Sequence, residues 1–114
     1  MDVSYHFAGL VVADRDAAAA WYQRLLGRPA DILPNDAEAM WRLTGTSSVY
    51  LLADAGRAGQ GVMTMAVADL DACVAEITGR GVVAGPVERV GEVGRKCVVT
   101  DPDGNTVSIV ELAG

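Results

Sequence analysis

The sequence is poor in the side chains that most enzyme chemistry requires. It contains one histidine, His6, and two cysteines, Cys73 and Cys97, which show neither CxxC nor Cys/His spacing. A Ser-His-Asp triad would have to use His6, and the nucleophile-elbow pattern GxSxG does not occur. The cysteine spacing also gives no indication of a zinc site. We therefore expect both cysteines to be small buried hydrophobic residues in a reducing compartment.

Long apolar runs and positive charge are also scarce. No segment approaches the ~18 apolar residues of a membrane span, and the start MDVSYHF lacks the pattern of a signal peptide. Nine basic residues are dispersed among 15 acidic ones, which gives a net charge of −6, whereas a nucleic-acid surface needs clustered cations. We therefore expect a cytoplasmic protein with no nucleic-acid or membrane partner, whose acidic field favours a cationic small molecule.

An internal repeat is the strongest positive feature of the chain. The phrase VADRDA at 12–17 recurs as VADLDA at 67–72. Each copy follows an alternating apolar segment and precedes an alanine-rich helical one. A unit that cannot bury its own apolar face is completed by its copy. We therefore predict one domain over 1–114, with modules at about 1–54 and 61–114 and a small, flexible hinge, DAGRAGQG, at 54–61.

Each module is predicted to run β-α-β-β-β. The predicted elements of the first are a strand at 5–12, a helix at 17–26 capped by Asp14, and strands at 30–33, 39–44 and 49–53. Those of the second are a strand at 63–67, a helix at 71–78 capped by Asp69, and strands at 82–84 or 87–90, at 95–100 and at 106–111. The segment DPDGN at 101–105 predicts a tight hairpin.

The order of these motifs closely resembles that of the vicinal oxygen chelate superfamily. The motifs are V-x-D after a strand, a helix with the aromatic pair Trp21 and Tyr22 before Leu26 and Gly27, the DPDGN hairpin, and the duplication itself. That superfamily includes glyoxalases, extradiol dioxygenases, fosfomycin-inactivating enzymes and bleomycin resistance proteins. The resemblance implies an α+β fold in which two tandem βαβββ modules form a cup-shaped mixed sheet. Enzymatic members hold a divalent metal in the cup.

The resemblance also implies which residues stand at the metal-ligand positions of the enzymes. They are Phe7, Tyr50, Val62 and Ser108, none of which offers imidazole, carboxylate or thiolate. We therefore expect no metal, no cofactor and no catalytic residue. Together with Trp41, these positions are predicted to line a small-molecule site, because aromatic rings offer flat faces and Ser108 offers a hydroxyl.

The favoured function is metal-free binding of a small organic molecule, with sequestration of an antibiotic or toxic metabolite as the model. The resemblance further implies a homodimer, in which the hinge permits exchange of modules. A metal-dependent lyase or dioxygenase remains an alternative and would require His6 and Glu111 to converge on one ion. Strand alternation opposes this alternative, because His6 points to the sheet face opposite to that of Phe7, and Glu111 points to the face opposite to that of Ser108. An accessory subunit with an occluded cup is the other alternative.

Overall fold

The two predicted modules form two four-stranded sheets in the computed structural model, which describes residues 1–114. The first module contains β1 (His6–Val12), α1 (Arg15–Leu26), β2 (Ile32–Asn35), β3 (Glu38–Thr44) and β4 (Ser47–Ala53). The second contains β5 (Val62–Ala66), α2 (Leu70–Gly79), β6 (Glu88–Val90), β7 (Gly94–Thr100) and β8 (Thr106–Leu112). No helix is long and apolar enough to cross a membrane.

The two sheets have the same topology. Their strand orders are β1-β4-β3-β2 and β5-β8-β7-β6. In each sheet the first strand of the module pairs in parallel with its last strand, and the other neighbours are antiparallel. The predicted α+β fold of two βαβββ modules is therefore confirmed, with a separate mixed sheet for each module.

Both helices begin at the caps that the repeat predicts. The Asp14 carboxylate accepts a hydrogen bond from the Ala17 amide at 2.9 Å, and Asp69 accepts one from Ala72 at 3.0 Å. Such caps satisfy amide groups that the first turn of a helix leaves free. Gly27, with φ of 82°, ends α1 in the left-handed conformation. The duplicated VAD phrase is therefore the junction between a strand and a capped helix.

The hydrophobic core lies between the sheets and the helices. Alternate strand residues that point toward the helices are buried, among them Leu10, Ala39, Trp41, Val49, Leu51, Met63, Cys97, Val99, Val107 and Ile109. Trp21 and Tyr22 of α1 belong to the same core. We call the opposite side of each sheet its open face. The open faces carry Phe7, Val11, Met40, Tyr50 and Leu52 in the first module and Val62, Thr64, Val98, Ser108 and Val110 in the second.

A buried polar cluster fastens the hairpin of the second module to the first module. The Tyr22 hydroxyl donates to Asp101 at 2.7 Å. The Asn105 side-chain amide donates to Asp101 at 2.8 Å and to the Val11 carbonyl at 2.9 Å, while its oxygen accepts from the Gly61 amide at 2.7 Å. Burial raises the pKa of Tyr22, and so does its hydrogen bond to Asp101. We call Tyr22, Asp101 and Asn105 the hairpin lock.

The linker between the modules is packed through its backbone. Its only regular structure is a 3-10 turn at Ala55–Arg57. The Asp54 amide donates to the Val12 carbonyl at 2.9 Å, and the Gly59 amide donates to the Val11 carbonyl at 3.2 Å. The small side chains of DAGRAGQG predict a flexible hinge. Its backbone contacts cannot be inferred from its composition, because their partners lie outside the segment.

Several strand bounds differ from the sequence prediction, and β4 begins at Ser47, two residues earlier than expected. Strand β2 lies two residues later than expected and includes Pro34, which is tolerated because β2 is an edge strand that leaves one side unpaired. Of the two segments proposed for the next strand, Glu88–Val90 forms β6. The earlier segment, 82–84, lies outside every strand.

Candidate functional site

The four positions deduced from the resemblance lie on the open faces. Phe7 and Tyr50 are on the first sheet, and Val62 and Ser108 are on the second. Phe7 is 57% exposed and Val62 is 75% exposed. Apolar side chains of this size are usually buried. The open faces of a single chain therefore present apolar surface that nothing in that chain covers.

The fifth predicted residue, Trp41, lies on the wrong face, and its assignment to the ligand site is corrected. It is fully buried, and its indole nitrogen donates to the Arg28 carbonyl at 2.9 Å. Its ring centroid lies 6.2 Å from that of Tyr22 in the core. Because side chains alternate along β3, Met40 takes the open-face position, where it pairs with Tyr50 across the sheet.

An aromatic pair that the sequence analysis missed extends the first open face. The rings of Tyr5 and Phe7 have centroids 4.7 Å apart and are tilted by 39°. The Tyr5 hydroxyl shares a hydrogen bond with the buried Ser48 hydroxyl. Arg42, opposite Ser48 in β3, has no hydrogen bond or ion pair from its side chain. The spacing of Tyr5 two residues before Phe7 is the signal that places both on one face.

Tyr50 is held in position by a glycine. A Cβ atom added to Gly9 would lie 2.6 Å from Cζ of Tyr50, so the ring rests directly against the β1 backbone. Gly9 and Tyr50 are register partners in the parallel pair. The ring is half-buried, with its exposed part on the open face beside Met40. The first sheet therefore presents an oriented aromatic ring before any ligand binds.

The second open face has a different chemical character. It carries the aliphatic Val62, Val98 and Val110 together with the hydroxyls of Thr64 and Ser108. Charged Glu88 and Lys96 face each other across β6 and β7 at its far edge. The first face can stack on a flat ring, while the second offers aliphatic contact and two hydroxyl groups.

The residues present do not fit a divalent metal. Nowhere do three His, Cys, Asp or Glu side chains lie close enough together to hold an ion. His6 occupies the helix-facing side of β1. Glu111 is engaged elsewhere, because one carboxylate oxygen accepts from the Leu70 amide at 3.0 Å and the other accepts from Arg95 at 3.0 Å. Arg95 also pairs with Asp71.

Known proteins match this chain over nearly its whole length. The model of the Glyoxalase/Bleomycin resistance protein/Dioxygenase superfamily matches residues 4–109. No curated protein matches the chain. Among solved structures, a glyoxalase/bleomycin resistance protein from Catenulispora acidiphila DSM 44928 is 36% identical with a TM-score of 0.89. That match covers 96% of this chain and 98% of the other.

Two more distant structures share the fold. A bleomycin-binding protein complexed with bleomycin is 18% identical with a TM-score of 0.80, and the match covers 99% of this chain and 100% of that one. A lactoylglutathione lyase from Agrobacterium tumefaciens is 19% identical with a TM-score of 0.78, covering 96% and 94%. The fold is therefore common to a binding protein and an enzyme, so the side chains of the site must decide between these functions.

Proposed function

The chain belongs to the glyoxalase/bleomycin resistance protein/dioxygenase superfamily, and within it we propose a protein that binds a small organic molecule without metal or catalysis. The chemistry of the open faces carries this proposal. By the resemblance, Phe7, Tyr50, Val62 and Ser108 stand at the ligand-bearing positions of the enzymes, and none of them offers imidazole, carboxylate or thiolate. Aromatic, aliphatic and hydroxyl groups instead suit an organic ligand.

The ligand we propose is cationic or aromatic, and the proposed role is sequestration of an antibiotic or toxic metabolite in the cytoplasm. Tyr5, Phe7 and Tyr50 supply ring faces. Flat molecules stack on such faces, and cations are attracted to them. The net charge of −6 adds a long-range attraction for cations. A bleomycin-binding protein with the same fold makes bleomycin a suitable first probe.

Binding should be visible as thermal stabilisation that depends on Tyr50. Protein stripped with chelator and mixed with metal-free bleomycin at 100 times the dissociation constant gains about 2.7 kcal/mol, which raises the unfolding midpoint. Tyr50→Ala should abolish this shift because it removes the oriented ring. Val83→Ala, at an exposed residue outside every strand, is the matched control. An equal shift in wild type and Tyr50→Ala would refute the open-face site.

The same assay separates the proposal from the enzymatic alternative. Zinc, nickel, manganese and iron(II), added one at a time to stripped protein, should leave the midpoint unchanged. A metal-induced rise that disappears in His6→Ala would instead support a lyase or dioxygenase. If neither metals nor organic probes shift the midpoint, the accessory-subunit alternative gains support.

We also propose that two copies associate so that the first sheet of one covers the second sheet of the other. A ligand site encloses most of its ligand, whereas Phe7 and Val62 are largely exposed in one chain. Glu38 and Lys96 occupy equivalent positions in the repeat, opposite Leu52 and Val110, and carry opposite charges. Facing the two modules in this way therefore brings complementary charges together.

The proposed dimer predicts a molecular mass of two chains. Light scattering at micromolar concentration should give this mass for the wild type. Phe7→Asp should reduce it to one chain, because an unpaired carboxylate would be buried against apolar surface. The helices should keep the same circular dichroism, because Phe7 lies outside the core. A wild-type mass of one chain would refute the dimer.

A further inference from the structure

The repeat makes two places in the molecule equivalent, and these places are built differently. The first corner lies between residues 21–22 of α1 and the hairpin at 101–105, and the second corner lies between residues 76–77 of α2 and the segment at 43–47. At the first corner Tyr22 belongs to the hairpin lock, and the ring of Trp21 packs against the ring of Tyr22. Counting from the duplicated VAD phrase, Trp21 corresponds to Glu76 of α2, and Tyr22 corresponds to Ile77. The second helix therefore brings a carboxylate where the first brings an indole ring, and it has no hydroxyl to bind a hairpin.

The segment opposite each helix differs in the same way, because one carries the polar groups of the hairpin lock and the other does not. The repeat aligns DPDGN at 101–105 with LTGTS at 43–47, because the pair Val98 and Ser108 in the second sheet is equivalent to the pair Met40 and Tyr50 in the first. Asp101 of the hairpin lock therefore corresponds to Leu43, and Asn105 corresponds to Ser47. The polar groups that close the first corner are absent from the second. The repeat thus closes only one of its two corners.

A cavity of about 520 Å³ lies at the second corner. Its apolar lining includes Leu25, Leu43, Met63, Met65, Val67 and Ile109. These side chains belong to the helix-facing core or pack against it, so the cavity is separate from the open-face positions of the proposed function. Its volume lies within the range of small-molecule sites, roughly 300–1,000 Å³.

One carboxylate without an ion pair, that of the solvent-exposed Glu76, is among the residues that line this cavity. Arg80 also lines the cavity and keeps its positive charge, but its guanidinium is directed to the carbonyls of Arg24 and Leu25 at the end of α1. The Glu76 side chain has neither an ion pair nor a hydrogen bond. An apolar cavity with a free carboxylate suits an apolar molecule that carries one positive charge.

We propose that this cavity is a second binding site, specific for a mainly apolar molecule with a single ammonium group. Glu76 accepts the ammonium group, and the methionine and leucine side chains enclose the apolar part. The four open-face positions Phe7, Tyr50, Val62 and Ser108 supply no part of the lining, whereas Thr64 of the second open face is among the lining residues.

The four methionines make the location testable. Met63 and Met65 line the cavity, Met40 lies on the open face, and Met1 is at the exposed start of the chain. In protein labelled with ¹³C at the methionine methyl groups, 4-phenylbutylamine should shift the signals of Met63 and Met65 and leave that of Met1 in place, whether or not the amine also stacks on the open face beside Met40. Shifts confined to Met40, or no shifts at millimolar amine, would overturn the proposal.

Substitution of Glu76 tests the chemical class. Glu76→Gln should weaken the binding of 4-phenylbutylamine about tenfold, because the ion pair between carboxylate and ammonium becomes a hydrogen bond to an uncharged amide. The uncharged 4-phenylbutanol should bind the wild type with the same reduced affinity. The shifts of Met63 and Met65 should persist in Tyr50→Ala, so this result stays distinct from failure of the open-face site. Equal affinities of the amine and the alcohol would overturn the ammonium specificity.

Filling the corner provides the second test. Glu76→Trp installs the residue that stands at the equivalent place in the first module, and it should abolish the methionine shifts. Leu43→Phe serves the same purpose if the tryptophan variant does not fold. Undiminished amine binding in a folded filled variant would overturn the cavity as the site. A change in molecular mass on filling would overturn it too, since the corner would then be a contact between copies.

Discussion

Replacing Gly59 with alanine should destabilise the protein by about 3 kcal/mol or more, since left-handed backbone strain and overpacking each cost about 1–3 kcal/mol. Gly59 has φ of +94°, which L side chains rarely adopt. Its added Cβ would lie 1.9 Å from the carbonyl oxygen of Asp103. Both partners are backbone, so no side-chain rotation relieves the clash. Urea unfolding should show a much lower midpoint.

Gly79→Ala is the matched control for this substitution. Gly79 is the last residue of α2, and a Cβ added there meets no atom within 4 Å. Alanine should therefore leave the free energy of unfolding unchanged or raise it slightly. A loss below 1 kcal/mol at Gly59, or equal losses at both sites, would contradict the close packing of the linker against the second module.

The contrast between these glycines shows where sequence reasoning succeeds. The helix caps at Asp14 and Asp69, the helix end at Gly27 and the turn at DPDGN depend on residues close in the chain, and each is recognisable from its own segment. The repeat then orders these local signals into two modules. The fold was therefore predictable because its determinants are local and duplicated.

The packing of the linker was not predictable in the same way. The requirement for glycine at Gly59 arises from Asp103, which belongs to the hairpin of the other module. Nothing within DAGRAGQG indicates that neighbour. The unfilled second corner has a similar origin, because Glu76 and Leu43 belong to different modules and line one cavity only after both modules have folded. Contacts between modules depend on placement rather than on local pattern.

The candidate site was predictable only in part, for a related reason. Counting along the motifs located the four positions Phe7, Tyr50, Val62 and Ser108. Such a count fixes which residues of each strand share one face of the sheet. Strand β3, with the sequence EAMWRLT, offered no such count. Ala39, Trp41 and Leu43 alternate with Met40 and Arg42, so both faces of the strand carry an apolar residue. The pattern alone does not decide which face is buried.

Trp41→Ala should be the most destabilising substitution in the first sheet. Truncation of a buried tryptophan costs about 3–5 kcal/mol, because the transfer free energy of the ring is lost and a cavity remains. It also leaves the Arg28 carbonyl without its indole donor. Chemical denaturation should give a much lower free energy of unfolding than for Tyr50→Ala, which removes a ring that is already partly in solvent.

The conservative variant Trp41→Phe separates stability from binding. It keeps most of the buried ring and loses the hydrogen bond to Arg28, so it should fold and be less stable than wild type by about 0.5–1.5 kcal/mol for the lost bond alone. Because its side chain lies on the face opposite Tyr50, it should retain the thermal shift with bleomycin that Tyr50→Ala loses. If folded Trp41→Phe lost that shift while Tyr50→Ala kept it, the ligand would lie on the helix-facing side of the first sheet, and the open face would have no part in binding.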